Sequence, residues 1–205
     1  MATIIEQILT RIKNMDEEAA FSSSDFTDIA DINTVRQILS RREQVGEIQR
    51  VVRGIYYCPK YSELLGEYEA PSPHHVAMAI ARKYGWTIAP SGNTALNQLG
   101  LSTQVPAKWS YISDGPYNSF EFGAVKLEYK HRSNKDISGL SYKTALVIQA
   151  IRAIGKDNIG GVEMDKIRQC LSEKEKENLL AEAQQSTAWI YKYIKEICRE
   201  DTKDV

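Results

Sequence analysis

Residues Asn33–Pro59 read NTVRQILSRREQVGEIQRVVRGIYYCP, and the way this stretch divides decides the fold. Val35, Ile38, Leu39 and Val45 recur near helical spacing, which predicts an amphipathic helix over Thr34–Val45 capped by Asn33 or Asp31. Gly46 ends it, where the chain past a helix C-terminus often needs a positive φ. Two short β-prone runs follow, Glu47–Val52 and Ile55–Tyr57, split by Arg53-Gly54, a tight hairpin signal. A helix that feeds a two-stranded hairpin is the second half of a winged helix-turn-helix. Its charge fits that outline. Arg36, Arg41, Arg42, Arg50, Arg53 and Lys60 outnumber Glu43 and Glu47, in a chain that is otherwise balanced with 26 Lys and Arg against 27 Asp and Glu. A cationic helix and wing suit a DNA backbone and its major groove.

The preceding residues supply the first half. Thr3–Met15 has Ile4, Ile5, Ile8, Leu9 and Ile12 on one helical face. Asp16–Ser24 reads as a loop. Ser24 or Asp25 then caps a short helix ending at Ile29 or Ala30, and Asp31-Ile32-Asn33 makes the turn. Residues 1–61 are thus expected to form a winged helix-turn-helix. A small helical domain with a surface hairpin is the plainer alternative, and the clustering of cations argues against it.

Lys60–Ser72 reads as a linker that ends in Pro-Ser-Pro. A second, mixed α+β domain is expected over residues 73–200. It begins with a helix, His74–Tyr84, a strand, Trp86–Ala89, and a short helix closed by Gly100. Lys108–Ser113 and Ser119–His131 alternate apolar and polar residues and read as antiparallel strands joined around Asp114-Gly115-Pro116. A helical C-terminal extension follows, with helices at Tyr142–Ile154, Met164–Leu171, Ser172 to near Gln185, and Ala188–Arg199. The fold class is therefore α+β. The last helix carries Trp189, Ile190, Tyr193, Ile194 and Ile197 on one stripe, too apolar to leave in water and expected to pack within the chain.

Near-zero net charge excludes a nonspecific polycation, so any nucleic-acid contact must come from a local patch. No apolar run is long enough to span a bilayer, and the acidic start does not resemble a signal peptide. Cys58, Cys170 and Cys198 lack CxxC spacing and fit ordinary thiols in a reducing cytoplasm. Adjacent His74 and His75 diverge on a helix and do not suit a shared metal. No cofactor motif, Walker loop, GxGxxG or Ser–His–Asp set is present.

At Leu39-Ser40-Arg41-Arg42, Gly46-Glu47-Ile48, Arg50, Arg53-Gly54-Ile55-Tyr56-Tyr57 and Pro59, the chain resembles the winged-helix domain of AbiEi-type antitoxins from bacterial type IV toxin–antitoxin systems. Ile88–Leu101, IAPSGNTALNQLGL, resembles the strand–helix segment that follows the winged helix in such proteins. The resemblance implies a DNA-binding antitoxin or repressor of its own operon. It also implies a nucleotidyltransferase-like toxin as genetic partner.

The candidate DNA contacts are Asn33, Thr34, Arg36, Gln37, Ser40, Arg41, Arg50 and Arg53. Arg and Gln can pair bidentately with guanine and adenine edges, and Ser can bond bases or phosphates. Asn33 and Thr34 lie near a helix N-terminus, whose free N–H groups suit a phosphate. Arg50 and Arg53 flank the wing turn and can reach backbone or minor groove. A solvated face held by local ion pairs is the plainer reading of each. An enzymatic alternative rests on Asp114, Glu128 and Lys130, an aspartate plus E-x-K resembling the magnesium site of PD-(D/E)xK nucleases. Alternating charge on an exposed strand explains the same residues, and the expectation is a non-enzyme. A protein-interaction module without DNA binding is the third reading.

Overall fold

The computed structural model describes residues 2–16, 18–64, 66–132, 137 and 139–199. The protein is α+β and divides into two compact units, residues 1–86 with 120–125, and residues 87–119 with 126–205. The expected domain limits at residues 1 and 200 lie outside the described residues.

The first unit is a winged helix. Helix α1 (Ile4–Lys13) starts from a capping box in which Thr3 accepts from the Glu6 N–H and Glu6 accepts from Thr3. A short strand β1 (Ala20–Phe21) precedes a 3-10 turn, Ser23–Phe26. The short α-helix expected here is reduced to this turn. Ser22, not Ser24 or Asp25, is the cap, and Asp25 reaches back to the Ser22 N–H. Helix α2 (Ile32–Gln44) follows, then β2 (Gln49–Val52) and β3 (Ile55–Tyr57), turning at Gly54 with φ +76°. The sheet order is β1-β3-β2, antiparallel throughout, with a bulge between Arg50 and Val52. The core joins Ile8, Ile12, Phe21, Phe26, Val35, Ile38, Leu39, Ile48 and Tyr56. Phe21 meets Phe26 edge-on at 5.8 Å and stacks on Tyr56 at 6.4 Å.

Two features differ from the sequence expectation. The supposed linker forms a small hairpin, β4 (Tyr61–Ser62) with β5 (Glu67–Tyr68), whose tyrosine rings meet edge-on at 5.3 Å. Helix α3 (Pro73–Tyr84), expected to open the second domain, belongs to the first unit. Long-range hydrogen bonds hold it there. Arg82 donates to Asp25 Oδ1 and to the Ala20 carbonyl, both at 2.9 Å, and His75 Nδ1 lies 2.9 Å from the Glu18 carbonyl. Burial and the neighbouring His75 lower the His74 pKa to about 4. Local sequence cannot announce these ties, because the partners lie far apart in the chain.

Strand β6 (Ile88–Pro90) leads to helix α4 (Asn93–Gln98) and then to β7 (Lys108–Ser113), β8 (Asn118–Phe122) and β9 (Val125–His131); residues 120–125 of these strands count with the first unit and the rest with the second. The sheet order is β6-β7-β9-β8. The single antiparallel strand expected over Ser119–His131 is a correction: Gly123, at φ +52°, breaks it into a hairpin, so β9 returns parallel to β7. Alternation continues on both sides of Gly123, which is why the run read as one strand. Helices α5 (Tyr142–Ile154), α6 (Gly161–Gln169), α7 (Glu173–Glu182) and α8 (Ala188–Ile197) complete the unit. Ile190, Ile194 and Ile197 are fully buried in a core with Val147, Ala150, Ile151, Ile167 and Leu179. The C-terminal stripe therefore packs within the chain.

Truncating that stripe tests its role. Ile194→Ala should destabilise the protein by about 2–5 kcal/mol, as large-to-small changes at fully buried sites do. Equilibrium urea unfolding measures this, and a loss below about 1 kcal/mol would place the stripe outside the core.

Candidate nucleic-acid interface

Helix α2 has two distinct faces. Val35, Ile38 and Leu39 are buried in the core of the first unit, while Asn33, Arg36, Gln37, Arg41 and Gln44 are exposed and Ser40 is half-buried. Burying the apolar face leaves the opposite polar face to solvent. That face places Asn33, Arg36, Gln37, Ser40 and Gln44 along one side of the helix at spacings of three and four residues. Gln44 was not among the sequence candidates, although its position seven residues after Gln37 puts it on the same side.

The helix N-terminus is already occupied. Asp31 is the cap: its Oδ1 accepts from the Asn33 N–H at 3.0 Å and the Thr34 N–H at 3.1 Å, and its carboxylate also accepts from the Thr34 hydroxyl. The Thr34 bonds hold the Asp31 carboxyl below the usual carboxylate range. The expected phosphate site on the Asn33 and Thr34 N–H groups is therefore filled by the protein's own carboxylate. Asn33 keeps its exposed side chain, whereas the Thr34 hydroxyl is engaged.

The arginines also sort themselves. Arg50 bonds Glu43 and lies over the Tyr56 ring, with its guanidinium carbon 5.5 Å from the centroid. Glu43 raises its pKa, and the pair is a local neutralisation rather than a free cation. Arg42 pairs with Glu47 at 3.1 Å. Arg41 is exposed and, with Gln37, borders a groove lined by Ile4, Ile5, Thr34 and Ile38. Arg53 is exposed at the wing tip. Arg36 and Arg53 have no carboxylate partner among the described residues. Arg11, outside the sequence candidates, forms a bidentate pair with Asp28 at 2.6 and 2.7 Å and ties α1 to the segment before α2. The wing itself is braced by a 2.8 Å bond from the Tyr57 hydroxyl to Gln49.

The nuclease constellation does not assemble. Strand register puts Glu128 opposite Ser110 and His131 opposite Ser113, so Asp114 lies beyond the far end of that pairing. At about 3.3 Å per residue the two carboxylates stand roughly 13 Å apart along the strands, too far to share one metal. Each has another partner: Asp114 accepts from the Thr87 N–H at 2.8 Å, and Glu128 pairs with Lys108, which lowers its pKa. Among the described residues no group of three His, Cys, Asp or Glu side chains could hold a metal ion. The three cysteines are free thiols.

The chain belongs to DUF6088, a family of unknown function, whose profile matches residues 7–179. No curated protein matches it. Among solved structures, the crystal structure of the RV2827C protein from Mycobacterium tuberculosis is similar at 11% identity, covering 97% of this chain and 77% of that one with a TM-score of 0.40.

The Asp31 cap should be visible in the acid response. Because its pKa is lowered on folding, the cap contributes its full stability above the ordinary aspartate range and loses it as pH falls through the lowered value. The Asn33 and Thr34 amide resonances should titrate together in that acidic window. In Asp31→Ala they should not, and the variant should melt lower at neutral pH. Unchanged amide titration in the variant would remove Asp31 as the cap.

Proposed function

We propose that this chain is a sequence-specific regulator of transcription that binds double-stranded DNA through its winged helix. The observation that carries the reading is the exposed polar face of α2, with Asn33, Arg36, Gln37 and Ser40, in a fold whose wing tip presents Arg53. In a winged helix this face enters the major groove while the wing follows the backbone. Gln37 then reads a base edge, Arg36 meets a phosphate beside the wing, Ser40 bonds a base or phosphate, and Arg53 contacts backbone or minor groove. Arg41 contributes a backbone contact at the margin. Arg50 acts through its partner Glu43 and is not a direct contact.

The AbiEi-like residues extend the proposal to an antitoxin that represses its own operon in the bacterial cytoplasm, with a nucleotidyltransferase-like toxin encoded beside it. Co-expression tests that step. Growth arrest by the neighbouring toxin gene should be relieved by this chain, and persistent arrest would remove the antitoxin role while leaving DNA binding standing.

Fluorescence anisotropy with operator-region duplexes tests the DNA reading. Arg36→Ala and Arg53→Ala should each lower the slope of log affinity against log salt by about one, because each removes one phosphate-range cation. Melting temperature should change little, as both side chains are exposed. Glu43→Gln should strengthen binding, since it removes an anion beside the interface and releases Arg50. Wild-type slopes in the Arg36/Arg53 double variant would move the binding face elsewhere.

A further inference from the structure

Beside the wing lies a cation that no feature of the winged helix supplies. Lys83, in the last turn of α3, donates through Nζ to the Arg53 carbonyl at 2.6 Å. Its ammonium also lies 5.2 Å from the centroid of the Tyr84 ring. The approach is close because residue 54 is glycine. A Cβ there would sit 2.9 Å from Nζ, and the φ of +76° already disfavours other residues.

Lys83 also belongs to a cluster. Burial lowers its pKa, and the nearby charges of Arg53 and Arg36 lower it further. Four arginines of this unit are neutralised: Arg11 by Asp28, Arg42 by Glu47, Arg50 by Glu43 and Arg82 by Asp25; Arg41, beside the groove along α1, has no such pair among the described residues. Arg36, Arg53 and Lys83 have no such carboxylate among the described residues. Three like charges held together without a counter-ion raise the energy of the free protein, and a bound anion relieves it. An ammonium has three donors, of which the Arg53 carbonyl takes one. The others, with two guanidinium groups, match the oxygens of a phosphodiester.

We propose that Lys83 reaches beneath the wing turn to position Arg53, and that Lys83, Arg53 and Arg36 together cradle one backbone phosphate of duplex DNA. The proposal rests on the DNA-binding reading and adds a contact from outside the winged helix. It assigns α3 two tasks at once. The carbonyl bond holds the wing tip at a set height, and the charge completes a phosphate site between the wing and α2.

The test uses the full chain and a fluorescein-labelled random duplex of about 30 base pairs, titrated across a salt series around 0.1 M. Lys83→Met keeps the stem but removes the charge, and Lys174→Met, an exposed residue of the second unit, controls for net charge. Lys83→Met should lower the salt slope by about one and weaken binding several-fold, with Lys174→Met unchanged. The amide of Gly54 should also exchange faster in Lys83→Met, as the wing loses its tie. If the wild type binds but Lys83→Met keeps the full slope, the cradle is wrong and the DNA reading survives. A lower melting temperature with an unchanged slope has the same meaning, because Lys83 is then only a structural tie. Equal losses in both lysine variants reduce the effect to net charge and also overturn the cradle. A wild type with no salt-dependent binding to duplex overturns the DNA reading, and the cradle with it.

Discussion

The first unit depends on burying one side of α2. Val35, Ile38 and Leu39 meet Ile8, Ile12, Phe21, Phe26 and Tyr56 in a single core. Each fully buried aliphatic side chain contributes about 1.5–3 kcal/mol relative to exposure. That driving force has no preferred direction of its own, yet it fixes the rotation of the helix. Once those three residues face inward, Asn33, Arg36, Gln37 and Gln44 have to face outward. The central strand β3 completes the arrangement. Its Tyr56 enters the same core, and its pairing with both β1 and β2 holds the wing beside the helix.

Charge pairing then divides the cations by role. A carboxylate within bonding distance cancels most of the field that an arginine presents to a polyanion. Arg42 and Arg50 are cancelled in this way by Glu47 and Glu43, although both stand in the most cationic stretch of the chain. Exposed pairs of this kind add little to stability. Their effect is on where the remaining field points. What is left includes Arg36, Arg53 and Lys83, at the wing and the adjacent side of α2, together with Arg41.

The second unit rests on its helices. The isoleucines of α8 close a core built largely from α5, which is apolar on most of its circumference. A helix buried on nearly all sides needs neighbours on all sides, and α4, β6, α7 and α8 provide them. The sheet contributes a smaller cluster, in which Ala89 and Ile112 meet Ala145 of α5. Stacked Tyr111 and Tyr129 lie at paired positions of β7 and β9, with burial pushing both phenols far above their usual range.

Much of this was legible in local sequence, because helices, caps and tight turns are governed by residues a few positions apart. The period of Thr3–Met15, the wing turn at Arg53-Gly54 and the apolar stripe at Ile190, Ile194 and Ile197 all follow from such spacing. So does the polar face of α2, since one apolar stripe implies its opposite. Tertiary structure alone decided the matters that hinge on distant partners. It attached α3 to the winged helix through Arg82 and His75, made β9 parallel to β7, and kept Asp114 away from Glu128. It also neutralised Arg50, filled the α2 N-terminus with Asp31 and brought Lys83 beneath the wing. The physical reason is range. Periodicity says which way a side chain points from its own backbone, whereas an ion pair, a strand register or a carbonyl bond depends on which other segment arrives there.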